Sequence, residues 1–253
     1  MQIKPYIKTT LAKPYQGKYL HEAGAEVVIN ITVNSKTVGD FIIMLPDPVS
    51  LNLNNAQGFI DKCEKLKERI NEGKGYTVFS KILSEKDIQG KTKAEIEMLD
   101  PSANFFRTLD NDKVFEYIQS SMGVVISLIT AIESFVNLII PHDYVLEKTN
   151  NKGILETLDK ESIVRKLSIS DKLDLVATIK NKPALKQARF WETFMKVKDL
   201  RNNILHFKKT DTDINQMWSP IIVSFLDSDL QEFFNDTVLI ISFLHPEDSS
   251  GGS

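Results

Sequence analysis

The feature that most constrains the fold of this 253-residue chain is an apolar run at residues 122–140. A helix that crosses a bilayer needs roughly 20 apolar residues, so a run of this length fits a membrane span or a buried core helix. The run contains Glu133 and Asn137. A carboxylate near the middle of a membrane span costs about 3 kcal/mol. The sequence therefore favours the central helix of a soluble domain, with no membrane association.

The composition agrees with a globular protein, since 42% of the residues are hydrophobic and 26% are charged. The net charge of -3 excludes a uniformly basic protein that coats nucleic acid, so any contact with RNA must be local. The single cysteine, Cys63, cannot form an intrachain disulfide. Met1–Tyr6 lacks the apolar core of a signal peptide. We expect a cytoplasmic location.

The first hundred residues show mostly a period of two, which is typical of strands. One helical stretch with apolar residues at spacings of three and four interrupts them and closes at Gly73. The order predicted is ββαββ, with a hairpin at 27–33 and 38–45, a helix over 59–73, and strands at 76–82 and 94–98. Residues 1–108 are therefore expected to form a small α+β module with a sensing or regulatory role.

The strand pattern disappears after Asp100-Pro101, and the remaining chain is expected to be helical. The predicted helices are Asp112–Ile140, about Leu155–Leu167, Asp171–Lys180 capped by Ser170, Ala184 to about Lys208, a shorter one between Ile214 and Asp227 interrupted by Pro220, and Asp229–Leu244. The fold class is thus mainly α, with a helical domain at 109–246 and a disordered tail at 247–253.

The most informative segment is 190–209. At about 100° per residue, one side of a helix here collects a core face made of Phe190, Phe194, Val197, Leu200 and Ile204. Measured from Arg201, Asn202 lies at about 100° and His206 at about 140°. These three polar residues therefore flank the core face.

The residues from Arg201 to His206 resemble the Arg-Asn-x-x-x-His signature of the HEPN (higher eukaryotes and prokaryotes nucleotide-binding) superfamily. Upstream, the segment 131–137 resembles the Ala-x-Glu-x-x-x-Asn run on the first long helix of many HEPN proteins. The resemblance covers roughly residues 112–245 and leaves the α+β module outside. It implies a helical bundle and an endoribonuclease of the toxin or abortive-infection type, used in antiviral defence or a toxin-antitoxin system.

The resemblance also implies that two domains pack face to face and bring two Arg/His pairs into one cleft. This chain carries one such pair, so a homodimer is the simplest way to complete the site. The products implied are a 2′,3′-cyclic phosphate and a 5′-hydroxyl, with DNA spared because it lacks the 2′-hydroxyl. An antitoxin or a trigger protein is a further partner to expect.

These residue types suit RNA cleavage. Histidine titrates near neutral pH, so one His206 can act as base while the second copy acts as acid. Arg201 offers a planar fork that matches phosphate oxygens, and Asn202 can orient the imidazole. Glu133 and Asn137 share one face of the long helix as supporting residues. An acid in an apolar helix needs a partner, and Arg201 is an attractive one.

A basic strip surrounds this motif, with nine Lys or Arg against two acids between residues 180 and 209. Lys196, Lys198, Lys208 and Lys209 are candidates for binding RNA phosphates, although such a strip also suits the solvated face of a helix. Trp191 and Trp218 could stack on bases, but core packing is the more common role. No His, Cys or carboxylate cluster has the spacing of a metal site, so neither metal nor cofactor is expected.

Two alternatives remain open. In the first, the chain keeps a HEPN-like fold without activity and serves as a dimerisation or nucleotide-binding regulatory protein. In the second, the ββαββ module binds a ligand while the helices only dimerise. RNA cleavage that depends on His206 would separate the enzyme from both.

Overall fold

The computed structural model describes residues 8–10, 15–16, 20–21, 26–28, 30–71, 75–149, 153–205 and 214–245. Within these residues the chain is mostly helical, with small two-stranded antiparallel ladders. The strands are β1 (Lys8–Thr10), β2 (Tyr15–Gln16), β3 (Leu20–His21), β4 (Glu26–Val28), β5 (Asn30–Ser35), β6 (Gly39–Met44), β7 (Tyr76–Phe79), β8 (Asn104–Arg107), β9 (Leu146–Thr149) and β10 (Leu155–Leu158).

The helices supply most of the core. They are α1 (Pro48–Asn71), α2 (Glu85–Ile88), α3 (Lys93–Leu99), α4 (Asn111–Ile139), α5 (Lys160–Lys166), α6 (Ile169–Ile179), α7 (Phe190–Leu205), α8 (Ile214–Asp227) and α9 (Leu230–Leu244), with a 3-10 turn at Pro183–Gln187. The predicted tail, 247–253, lies outside the described residues.

The chain divides into two compact units, one formed by residues 1–59 with 122–253 and the other by residues 60–121. The boundary predicted at residue 108 lies inside the second unit.

In the first unit, the predicted hairpin is confirmed. Strands β5 and β6 pair antiparallel, with Asn30 opposite Met44 and Ser35 opposite Gly39. The Ser35 hydroxyl accepts hydrogen bonds from the backbone N–H groups of Thr37 and Val38, both at 3.2 Å, and this closes the turn. Gly39 has a φ of +87°, which glycine adopts without a steric cost.

The C-terminal part of α4, from residue 122 onward, forms the centre of the first unit. Val124, Val125 and Leu128 have no exposed surface, and Ile132 and Val136 continue the same buried face. Among the described residues α4 is the helix long and apolar enough to cross a membrane, yet half of its most apolar window is buried inside the protein. This burial agrees with the core helix predicted from the sequence.

Helices α7 and α9 pack side by side in the same unit. The ring of Phe190, at the start of α7, meets the ring of Phe243, near the end of α9, edge to face at 5.6 Å between centroids. Phe194 and Val197 on α7 and Ile240 on α9 are nearly fully buried. The buried residues of α7 include four of the five that helical periodicity predicts for its core face, and the fifth, Phe190, is half-buried.

After residue 150, three helix boundaries differ from the predicted ones, two of them because of a local cap. Asp159 accepts a hydrogen bond from the Ser162 N–H at 2.9 Å and starts α5 at Lys160, so the predicted helical residues 155–158 instead form β10. Ser168, and not Ser170, caps α6. The segment predicted as one helix from Ala184 is a 3-10 turn followed by α7.

Asp229 starts α9 by accepting hydrogen bonds from the N–H groups of Gln231 and Glu232, at 2.9 and 3.1 Å. We expect the Asp229→Ala substitution to lower the free energy of unfolding by about 1 kcal/mol, because two N–H groups lose their acceptor. Urea denaturation followed by circular dichroism measures this change. Asp227→Ala is the control, since Asp227 caps no helix; an equal loss in both variants would contradict the capping role.

In the second unit, the second half of α1 packs on the first part of α4. The Lys62 ammonium lies 2.7 Å from the Glu116 carboxylate, and the buried Cys63 thiol lies 3.5 Å from the Ser121 hydroxyl. Burial raises the pKa of the Cys63 thiol, and the hydrogen bond with Ser121 lowers it by less. Cys63 is therefore a core residue of this unit, three per cent exposed.

The predicted strand at 94–98 is wrong. This segment is the helix α3, which begins after a capping box in which Thr92 and Glu95 exchange hydrogen bonds. Ile96 is buried, while Met98 is 84% exposed, as expected for a short helix with one inward face. The partner of β7 is β8 instead, with Tyr76 opposite Arg107 and Phe79 opposite Asn104. The order ββαββ is therefore not observed.

Candidate functional site

Helix α7 places Arg201 and Asn202 near its described C-terminal end, in the first unit. Both side chains are half-buried, and Arg201 Nη1 donates a hydrogen bond to Asn202 Oδ1 at 3.2 Å. The bond holds the guanidinium beside the amide and directs the oxygen of Asn202 toward Arg201. The NH₂ group of Asn202 is then the end of the amide that can donate to another acceptor.

The other motif residue, His206, lies outside the described residues, as do Lys208 and Lys209. Their predicted roles as catalyst and as RNA-binding cations therefore stay predictions. Asn202 precedes His206 by four positions in the sequence, which is about one helical turn.

Glu133 has a different partner from the one expected. Its carboxylate lies 3.1 Å from the ammonium of Lys172 on α6. The side chain of Lys172 is 1% exposed and that of Glu133 is 41% exposed, so the pair joins a buried cation to an acid at the surface. Glu133 thus neutralises a buried lysine. The sequence around either residue did not predict this pairing.

Asn137 lies one turn after Glu133 on α4 and is half-buried. Its Oδ1 atom is buried and has no hydrogen-bond partner among the described residues. A buried amide oxygen without a donor is costly, so this atom offers an acceptor to an added group. The supporting role predicted for Asn137 is not tested by this contact pattern.

Within the described residues, two lysines of the basic strip form ion pairs with acidic residues of the same chain. Lys196 pairs with Glu192 at 3.1 Å, with side chains 62% and 81% exposed, and Lys186 pairs with Asp174 at 2.6 Å. Lys198 is half-buried. Exposed pairs of this kind are worth little, so Lys196 can exchange Glu192 for a phosphate at small cost.

A pocket that sequence reasoning missed lies on the same helix. It has a volume of about 280 Å³ and is formed by α7, α8 and α9. The residues that line it are Lys196, Asp199, Leu200, Asn203, Ser224, Ser228 and Phe233. The spacing of Lys196, Asp199 and Asn203 at steps of three and four predicts a shared polar face. The two serines come from a distant part of the sequence, Ser224 from α8 and Ser228 from the residue that follows it.

A second pocket, about 400 Å³ in volume, lies beside the start of α5 and includes His142, Lys160 and Arg165. Its cations are engaged, since Lys160 donates to the Ile140 carbonyl at 2.6 Å and Arg165 pairs with Glu161 at 2.7 Å. Among the described residues, no three His, Cys, Asp or Glu side chains form a group that could hold a metal ion.

No protein-family model, curated protein or solved structure matches this chain. The HEPN resemblance therefore depends on the residues quoted above, from Arg201 to His206 and from 131 to 137.

Proposed function

We propose that the chain is a metal-independent endoribonuclease of the HEPN type, acting as a homodimer in the cytoplasm in antiviral defence or as a toxin. The observation that carries the proposal is the hydrogen bond between Arg201 and Asn202, which holds a permanent cation next to a polarised amide at the end of α7. His206 follows Arg201 by five positions in the sequence. A cation, an amide and an imidazole in this order match the groups that cleavage through the 2′-hydroxyl needs.

The reaction proceeds as follows. His206 of one copy removes the proton of the 2′-hydroxyl, whose oxygen then forms a bond to phosphorus. The bond from phosphorus to the 5′-oxygen breaks, and His206 of the second copy donates a proton to that leaving oxygen. Arg201 binds the phosphate oxygens and stabilises their charge. The products are a 2′,3′-cyclic phosphate and a 5′-hydroxyl.

Asn202 contributes orientation. Because its oxygen accepts from Arg201, its NH₂ group would donate to an imidazole nitrogen. A nitrogen that accepts a hydrogen bond carries no proton, so this contact favours the neutral imidazole, which is the form that acts as a base.

The test is to incubate the full-length chain with end-labelled RNA, and with DNA of the same sequence, in the presence of EDTA. We expect RNA to be cut with cyclic phosphate and 5′-hydroxyl ends, and DNA to stay intact. Expression of the active chain should also slow cell growth, and a His206→Ala variant should do neither. Binding of RNA without cleavage would support the alternative of an inactive regulatory protein, and equal cleavage by both chains would remove His206 from the mechanism.

A further inference from the structure

The pocket of α7, α8 and α9 combines an apolar floor with polar walls. Leu200 and Phe233, which are 8% and 4% exposed, form the floor. The walls are formed by Asp199 and Asn203 from α7, Ser224 from α8 and Ser228, which directly follows α8. None of these four polar side chains has a hydrogen-bond or ion-pair partner among the described residues. A concave site with an apolar base and convergent free polar groups is the usual make-up of a small-molecule site.

The volume limits the ligand. At about 280 Å³ the pocket lies just below the range of roughly 300–1,000 Å³ typical of drug-sized ligands. It therefore fits a group of the size of one nucleobase. The edges of Phe233 and Leu200 suit the flat apolar face of such a ring.

The charges of the walls favour one base. The Asp199 carboxylate has two acceptor oxygens, and the Lys196 ammonium has only donors. Guanine presents two adjacent donors, N1–H and the N2 amino group, on one edge and two acceptors, O6 and N7, on another. The carboxylate can accept from the donor edge of guanine, and the ammonium can donate to its acceptor edge. Adenine, which offers one amino donor and no carbonyl acceptor, satisfies them less well.

The pocket lies on the helix that carries the motif. At about 100° per residue, Asp199, Asn203 and Lys196 lie at about 160°, 200° and 220° from Arg201 around α7, which is the opposite side of the helix. A helix with its side chains is roughly 10–12 Å across. A base bound in the pocket would therefore belong to a nucleotide that is separated along the strand from the phosphate that Arg201 binds.

We propose that this pocket binds a guanine base and that, resting on the function proposed above, it holds a guanine of the RNA substrate at a fixed number of nucleotides from the cleavage point. Asp199 accepts from N1–H and N2–H, and Lys196 leaves Glu192 to donate to O6 or N7. The hydroxyls of Ser224 and Ser228 complete the hydrogen bonds, since each can donate or accept.

The first experiment measures binding without cleavage. The full-length chain is titrated with GMP, AMP, CMP and UMP by isothermal titration calorimetry. We expect GMP to bind about tenfold or more tightly than the others, because each good bidentate base contact discriminates by about that factor. Asp199→Asn should remove the preference, because an amide offers one acceptor where the carboxylate offers two. Asp227→Asn is the matched control, since it removes the same charge from an exposed residue that does not line the pocket.

The second experiment maps cleavage sites on an RNA of random sequence. We expect guanine at one fixed position relative to the cuts made by the unmodified chain and by Asp227→Asn. Asp199→Asn should lower the ratio of cuts with guanine at that position to cuts with another base there, and circular dichroism checks that the variant is folded. Ser228→Ala should lower this ratio by a smaller factor.

The outcomes separate the two proposals. Cleavage without base preference, together with equal binding of the four nucleotides, overturns the guanine pocket and leaves the nuclease intact. Preferential GMP binding without any cleavage supports the pocket as a site for free guanine nucleotide and overturns the nuclease. A preference that persists in Asp199→Asn overturns the assignment of that carboxylate.

Discussion

Replacing His206 with alanine is expected to lower the rate of RNA cleavage by about 10²–10⁴-fold, the usual contribution of a positioned general acid or base. Arg201 and Asn202 stay in place, so the binding of RNA should change much less than the rate of the chemical step. Single-turnover cleavage of a labelled RNA, measured over a range of RNA concentrations, separates the two. His142→Ala is the control, because His142 is exposed and lies outside the motif.

The cleft that we propose two copies share adds two expectations to this result. The rate of the unmodified chain should follow a bell-shaped pH profile, because one imidazole must be neutral and the other protonated. The rate per chain should also rise with protein concentration until the dimer is formed. Equal rates for His206→Ala and the unmodified chain, or a rate per chain independent of concentration down to the lowest measurable level, would contradict a composite histidine site.

The sequence predicted the elements whose pattern is long and regular. The core face of α7 follows from apolar residues spaced three and four apart over four turns, and Phe194, Val197 and Leu200 are buried as expected. The position of α4 followed from its length and from Pro141, which cannot continue a helix. In both cases the helical period repeats often enough to outweigh any other local preference.

Short segments were harder to predict for a physical reason. Between residues 93 and 99 the apolar residues alternate only three times, which a strand and a short helix satisfy equally well. The capping box formed by Thr92 and Glu95 decides for the helix. The same applies at Asp159, whose side chain caps α5, so that the helix starts five residues after the point that the apolar pattern indicated. Capping residues were therefore the better guide at these boundaries.

In the candidate site, prediction from the sequence also failed for contacts between residues that are far apart in the chain. Arg201 and Asn202 are neighbours in the chain, so a local motif could find them. Lys172 lies 39 positions from Glu133, and Ser224 and Ser228 reach the pocket from the end of α8 and the residue that follows it. Such contacts depend on how helices pack, and a single sequence carries no direct record of that packing.

The pair of Lys172 and Glu133 leads to the second large effect. We expect Glu133→Ala to lower the free energy of unfolding by about 3 kcal/mol, the cost of leaving a buried charge without its partner. The reason is the asymmetry of the pair, since the Lys172 side chain is 1% exposed and cannot reach water, whereas that of Glu133 is 41% exposed. Lys172→Met should cost much less, because methionine fills a similar volume without a charge and water can solvate the remaining carboxylate.

Urea denaturation of the two single variants and of the double variant measures these differences. In the double variant the loss caused by Glu133→Ala should largely disappear, because the lysine that needed a partner is gone. A Lys172→Met variant less stable than Glu133→Ala would contradict the role given to Glu133.

The same three variants also test whether Glu133 takes part in the proposed RNA cleavage. Because Glu133 contacts Lys172, the Lys172→Met variant with Glu133 intact should retain RNA cleavage. If instead Glu133→Ala abolished cleavage in a chain that the double substitution had restabilised, Glu133 would act on Arg201 or on the RNA as well.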